Sequence, residues 1–410
     1  MLIGDTGIGG MAAALSLGRR GHNVTILEVA PKLLEVGAGI QVAPNMLRLL
    51  DRWGVGSVVR EKGVALDDIH ILRWEQGQLL GKVPINRDYG DQFVIHRADL
   101  HNALIDKALA LPNVNIRLDA RVTDVEFDQA SVVLASGEVV SGDVVLAADG
   151  IKSLIRGKLL LDAEDVAIPT GDAVFRIILS KDVLVKDPDL KPFILEKKAT
   201  RWVGPDRHII AYPVRNHELY NVVLAHPDRG GVDESWTTVG SKKAMIAEYQ
   251  GWDERLRKII DLVPDGEPLK TWVRGSVALM GDACHPMLPY VAQGAAQAVE
   301  DAAALGVILS KVTKKADIPL ALRAYERARK TRAETVQQSG GQTRKALHFH
   351  DGPEQIARDK QFQALTDGGE NPDKWGDPET QRFLWLWDSE ENAGKEWDRE
   401  CSSATSTTAL

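Results

Sequence analysis

Leu2-Ile3-Gly4-Asp5-Thr6-Gly7-Ile8-Gly9-Gly10-Met11 opens the chain, and Val24-Thr25-Ile26-Leu27-Glu28 follows about one helix length later. The first stretch reads as a short apolar strand breaking into a glycine-rich turn. Met11 to Arg20 has helix-forming composition, and Gly21 stops it. Val24 to Leu27 is then a second buried strand. Strand, glycine turn, helix, strand is a βαβ opening, which predicts an α/β fold. At such a turn a diphosphate can approach the backbone, because unpaired N–H groups and the helix dipole favour negative charge. Gly7, Gly9 and Gly10 are the candidates for that close approach. Glu28 ends the second strand, where an acid accepts hydrogen bonds from a ribose. A tight βα turn with no ligand would use the same residues, so this motif is weak alone.

Two more stretches begin where a buried strand ends. Val144-Val145-Leu146-Ala147-Ala148 is a continuous apolar run, as for a strand buried on both faces, and it stops at Asp149-Gly150. Ser153 can cap the helix that follows, and Arg156 brings charge near a phosphate. The most specific stretch is Gly281-Asp282-Ala283-Cys284-His285-Pro286-Met287-Leu288-Pro289-Tyr290-Val291-Ala292-Gln293-Gly294. It follows the strand Val277 to Met280, runs through a proline-spaced loop and opens a helix. Asp282 can accept hydrogen bonds from a polyol chain. The helix N-terminus near Gly294 can stabilise negative charge on a reduced ring.

Between Asp172 and Val273 the chain is rich in short strands: Ala173 to Leu179, His208 to Val214 and Leu219 to Leu224. These predict a second, largely β domain. His208 and Tyr212 are four apart on one strand and point to the same face. Helical patterns run from Gln293 to Ser310 and from Leu320 to about Arg344, and the Ser/Thr-rich end, 401–410, is predicted to be disordered. A chain of 410 residues suits two packed domains. Its net charge of −8 gives no general attraction to nucleic acid or to an anionic membrane. Cys284 and Cys401 make no disulfide framework, and with no secretory signal or membrane span in the sequence the expected location is cytoplasmic. Cys284 reads as a packing residue. His348 and His350 read as surface residues, and no metal site is expected. Trp375, Trp385, Trp387 and Trp397 are expected to pin the C-terminal segment to the body or to a partner subunit.

The three motifs, in this order and spacing, resemble the single-component FAD-dependent aromatic hydroxylases, the group A flavoprotein monooxygenases, and within them the salicylate hydroxylase-like branch. Matching segments include Glu35-Val36-Gly37-Ala38-Gly39-Ile40-Gln41, Pro44-Asn45, Ile95-His96-Arg97-Ala98-Asp99-Leu100-His101 and Pro169-Thr170-Gly171-Asp172-Ala173. The resemblance covers most of Gly4 to about Arg332. It implies a Rossmann-like, three-layer FAD domain (1–75, 95–170, 271–320), a β-sheet substrate domain (76–94, 171–270) and a helical C-terminal region (321–400). Glu28 would hold the adenosine ribose, Val122 would contribute backbone near the adenine, and Gly39 would belong to the cofactor site. Arg97 would contact the flavin region. Asp149 and Gly150 would serve FAD and the nicotinamide cofactor alike. Asp282 would bind the ribityl chain, with Pro289 and Gly294 against the flavin ring. His208 and Tyr212 would face the substrate.

The implied reaction uses NADPH or NADH and O2 to hydroxylate a small phenolic, salicylate-like aromatic through a flavin hydroperoxide. Two alternatives stay open: a related flavoenzyme carrying out epoxidation or dearomatisation in secondary metabolism, and a non-catalytic relative defective in flavin binding. A homodimer is one open arrangement. Two departures from the pattern bear on the last alternative. If Gly7 and Gly10 set the register, Asp5 occupies the first glycine position. If Gly4 sets it, the turn is one residue too long. The connection Val263-Pro264-Asp265-Gly266-Glu267-Pro268-Leu269-Lys270 is also short.

Overall fold

Leu2–Gly4 lies between Val24–Leu27 and Val145–Ala147, parallel to both, at the centre of a six-stranded sheet. The order is Val273–Arg274, Val277–Leu279, Val145–Ala147, Leu2–Gly4, Val24–Leu27, Val114–Arg117, and only the edge strand Val273–Arg274 runs antiparallel. The computed structural model describes residues 1–33, 38–160, 172–227, 248–256, 273–274, 277–285, 287, 289–365 and 369–407. The expected segments Glu35-Val36-Gly37, Pro169-Thr170-Gly171 and 263–270 lie outside the described residues.

The first helix, Ile8–Gly18, connects the two central strands and is buried nearly all round. Such a helix has no polar face and must be covered. Gly294–Ser310 covers it, and Arg97–Leu109 flanks it. The other side of the sheet carries an antiparallel meander of Val122–Glu126, Ser131–Leu134 and Val139–Ser141. Its buried Val125, Val132 and Leu134 share one core with Leu2, Ile26 and Leu146. Helices, parallel sheet and meander give the three layers expected of the first domain.

The second sheet has the order Asp172–Ser180, Leu219–Pro227, Arg207–Val214, Lys198–Gly204, Asp68–Arg73, Leu79–Pro84. Two features differ from the sequence reading. Lys198–Gly204 is a strand that the reading did not single out. Asp68–Arg73 belongs to this sheet and not to the first domain, because it pairs in parallel with Lys198–Val203. The domain boundary therefore falls before residue 68 and not at 75. A small sheet of Gly39–Val42, Phe93–His96 and Val64–Ala65 joins the two bodies.

The C-terminal region is helical: Ile318–Leu347, Pro353–Ala364, Pro378–Trp385 and Ser389–Thr407. The last helix corrects the expected disorder from residue 401, since it continues through Thr407. A helix already nucleated extends at little cost, and Glu400 is held by Arg323 and Arg327 of the long helix. Trp375 and Trp385 are buried edge to face, with ring centroids 5.9 Å apart. Arg332 lies over the Trp387 ring, and Trp397 packs against the first core. The tryptophans thus pin this segment to the body. Among the described residues, no helix is long and apolar enough to cross a membrane.

Candidate active site

The structure decides the register of the glycine turn. Gly7 is the N-cap of the first helix, and Asp5 stands at the first glycine position with φ +93°. A Cβ on Gly10 would lie 2.1 Å from the Asp5 carbonyl oxygen, so the helix rests directly on the Asp5 backbone. The Asp5 carboxylate accepts the Gly7 N–H at 2.7 Å. Burial, then Glu28, push its carboxyl up to about 6. Glu28 is buried and also holds the turn: it accepts the Thr6 N–H at 3.0 Å, the Thr6 hydroxyl, and the Ala30 N–H at 2.8 Å.

Asp149 ends its strand as expected. It accepts the Ser153 hydroxyl at 2.6 Å, and burial raises its carboxyl above the usual range. Ser153 caps the next helix by accepting the Arg156 N–H at 3.0 Å. The buried Arg156 turns one guanidinium nitrogen to the Ile151 carbonyl. Val122 opens the meander and pairs with Leu134 beside a bulge.

A cavity of about 290 Å³ runs between the two bodies. Ile8, Gly9, Arg97, Gly150, Asp282 and Gly294 line it on the first-domain side, Ile210, Tyr212 and Val223 line it on the other, and Gly39 of the small joining sheet lines it as well. The structure therefore brings together Gly9, Gly39, Arg97, Gly150, Asp282, Gly294 and Tyr212. Gly7, Gly10, Glu28, Val122 and Asp149 stand apart from this lining. Pro289 opens the turn Pro289–Val291, and its side chain lies outside the described residues.

Asp282 exposes its surface inside this cavity, and its depth in the protein raises its carboxyl. Beneath it, Asp301 accepts the Gly281 N–H at 2.9 Å and contacts His285 Nε2 at 2.6 Å. Arg329 completes this layer, donating to Asp301 at 2.8 Å and to Glu300 at 2.6 Å. Burial works to raise both carboxyls, but Arg332 and Arg329 hold Glu300 down, and His285 and Arg329 hold Asp301 down. Candidate metal-ligand atoms of Cys284, His285 and Asp301 lie within 4.8 Å of one another, but the Arg329 guanidinium already supplies the cation there. Burial pushes the Cys284 thiol well up, as for a packing residue.

His208 and Tyr212 do share a strand face, but only Tyr212 reaches the cavity wall. His208 is buried away from the cavity, against Tyr290 at 4.6 Å between ring centroids. Its Nδ1 lies 2.8 Å from His348 Nε2. His348 is therefore not the surface residue expected; the strand Arg207–Val214 covers it, while His350 is exposed. The reading also missed Ile210 and Val223 on the wall. Ile210 was signalled by the alternation that paired His208 with Tyr212.

The match to an FAD binding domain family model spans residues 1–339. FAD-dependent monooxygenase ntnJ of Nectria sp. is 42% identical over 95% of this chain and 94% of its own. The 3-hydroxybenzoate 6-hydroxylase of Polaromonas naphthalenivorans is 34% identical over 94% and 96%. A solved salicylate hydroxylase substrate complex superposes with a TM-score of 0.76 at 25% identity, covering 97% of each chain. The residues present fit FAD. Gly9 and Gly294 line the cavity without adding a side chain to it. A Cβ on Gly39 would lie 2.6 Å from both the Tyr212 ring and the Asn221 side chain.

Proposed function

The chain belongs to the FAD binding domain family, among its flavin-dependent monooxygenases, and on that premise we propose that it hydroxylates a small phenolic ring with NAD(P)H and O2. Bound FAD supplies electron transfer from NAD(P)H to O2 and delivery of one oxygen atom. The overall balance is substrate, O2, NAD(P)H and a proton giving hydroxylated product, NAD(P)+ and water.

The observation that carries this reading is the continuity of one cavity from Gly9, Gly150 and Asp282 to Ile210, Tyr212 and Val223. Asp282 would hold the ribityl chain, Arg97 would meet the flavin region, and Glu28 would meet the ribose. The N–H groups in the first turn of Gly294–Ser310, whose Gly294 lines the cavity, would favour negative charge on the flavin ring. Ile210, Val223, Met287 and Ala292 are an apolar wall that excludes water from the reacting ring. Tyr212 is the polar group of that wall suited to orient a phenolic hydroxyl, and His208, farther along the same strand face, would have to act through groups between them. The hydroxybenzoate and salicylate hydroxylase relatives support a phenolic acid as substrate.

The test is to load the protein with FAD and screen phenolic acids for stimulated NAD(P)H oxidation, with the product identified by mass. A product heavier by one oxygen atom supports the proposal. NAD(P)H consumption that yields only hydrogen peroxide with every phenol tried counts against it. A second reading, epoxidation or dearomatisation in secondary metabolism, is favoured by the apolar wall and by the fungal relative named simply as a monooxygenase. Loss of the product's aromatic absorbance would select that reading.

A further inference from the structure

We infer that Asp5 couples FAD uptake to a proton, because its carboxylate already holds the helix N-terminus that the cofactor's diphosphate requires. The inference rests on FAD being the cofactor and goes beyond it. A diphosphate at this turn is anionic and needs N–H donors. Asp5 takes the Gly7 N–H as its own acceptor group would in an N-cap, at 2.7 Å. It thus offers the site a negative charge where the fold calls for a positive one.

The backbone cannot relieve this conflict. Asp5 has a left-handed φ of +93°, and Gly10 packs onto its carbonyl so closely that a methyl there would meet it at 2.1 Å. Only the side chain is able to move or change its charge. The groups around it decide which charge state the diphosphate accepts. From the end of Val24–Leu27, Glu28 faces the turn, and from the end of Val145–Ala147, Asp149 does so. From the helix Arg97–Leu109 come Arg97 and His101, the latter against the Thr6 carbonyl with its imidazole pushed down by burial. Gly294–Ser310 brings Ala298 to Gly9. The named charges are thus two further acids and one fixed cation.

A diphosphate added to this set disfavours ionised Asp5 more strongly than neutral Asp5, so binding raises the affinity of Asp5 for a proton. By reciprocity, protonated Asp5 favours FAD. The sign follows from repulsion between the diphosphate and the carboxylate that holds the Gly7 N–H, and the window opens at about 6, where that carboxyl stands before binding. Below that pH the proton is in place and affinity is flat. Between that pH and the higher value that FAD binding gives Asp5, each FAD bound takes up a proton, and affinity falls with a slope approaching about tenfold per pH unit.

The experiment is FAD titration followed by flavin fluorescence, from pH 5.5 to 8.5, with the wild type, Asp5→Asn and Asp5→Gly. Asn keeps the shape and tolerates positive φ, so that variant isolates charge from folding. The expected result is a wild-type Kd that rises at least tenfold between pH 6 and pH 8. Both variants should show a flattened profile and bind at least tenfold more tightly than wild type at pH 8. Superimposable profiles for wild type and Asp5→Asn, with tight binding throughout, would overturn the role of Asp5 and leave FAD as the cofactor. Failure of all three proteins to bind FAD at any pH would overturn the inference together with the cofactor assignment.

Discussion

His208 Nδ1 and His348 Nε2 lie 2.8 Å apart in the interior, joining the strand Arg207–Val214 to the end of the helix Ile318–Leu347. One ring donates and the other accepts, so at least one of the two rings must be neutral. Burial drives His208 well below the ordinary histidine range, and it lowers His348 to about 4.

That pair makes stability fall in acid. His348 binds its proton near 6.5 when unfolded and near 4 when folded. The unfolded state therefore holds more protons between those values, and stability rises with pH across that window. The contribution is complete above pH 6.5 and is lost as pH falls toward 4. It amounts to roughly 3 kcal/mol, with His208 acting in the same direction. Denaturant unfolding at pH 4.5 and pH 7 should show a smaller difference for His348→Gln than for the wild type. Equal differences in the two proteins would remove His348 as the source.

The fold was largely legible because its first signal is local. A glycine turn between two apolar runs dictates βαβ from sequence neighbours alone, and Gly281 to Gly294 repeats the logic at another strand end. The place of Asp68–Arg73 was not legible, because its partner Lys198–Val203 is remote in sequence and alternation does not name a partner. The same limit hid His348. Strand parity put His208 and Tyr212 on one face, but what captures the imidazole depends on a helix end more than a hundred residues away. One signal was available and unused: Glu300-Asp301 stands inside the apolar helix sequence Gly294–Ser310. Adjacent acids there require buried cations, which Arg329 and Arg332 provide.

Removing one of those cations should destabilise the protein strongly. Arg329→Met leaves Asp301 without its guanidinium and Glu300 with Arg332 as its remaining cation. Breaking a buried pair from one side costs about 3–5 kcal/mol, and a loss of that size is expected in denaturant midpoints. Because Asp301 also holds the Gly281 N–H, FAD affinity should fall in the same variant. A stability change under 1 kcal/mol (about the median of a surface ion pair) would mean the network is not coupled as drawn.

Asp282→Ala should weaken FAD binding without unfolding the chain. The side chain opens onto the cavity, and among the described residues it makes no hydrogen bond to a neighbouring element. A hydrogen bond involving a charged partner contributes roughly 1.5–3 kcal/mol, so Kd should rise by about 10- to 100-fold. Asp282→Asn, which can still accept from a hydroxyl, should fall between wild type and alanine. Unchanged flavin occupancy after dialysis would count against the assignment to the ribityl chain.

Substitution of Tyr212 and His208 should separate oxygen transfer from cofactor binding. Tyr212 is on the cavity wall, and His208 stands four residues earlier on the same face of the strand, outside the cavity lining. Neither lies among the residues assigned to FAD, so Tyr212→Phe with His208→Gln should leave FAD affinity unchanged. Gln retains a donor and an acceptor toward His348, which limits the loss of stability. Proton abstraction by a positioned group contributes typically 10²–10⁴-fold, so product formation should slow by about 100-fold or more while NAD(P)H oxidation continues with more hydrogen peroxide released. The neutral state of His208 sets the pH response. A base already deprotonated at pH 7 gives a wild-type rate that is flat near neutrality and declines only in acid. If the double variant keeps the wild-type rate and coupling, phenol activation belongs to other residues of the wall.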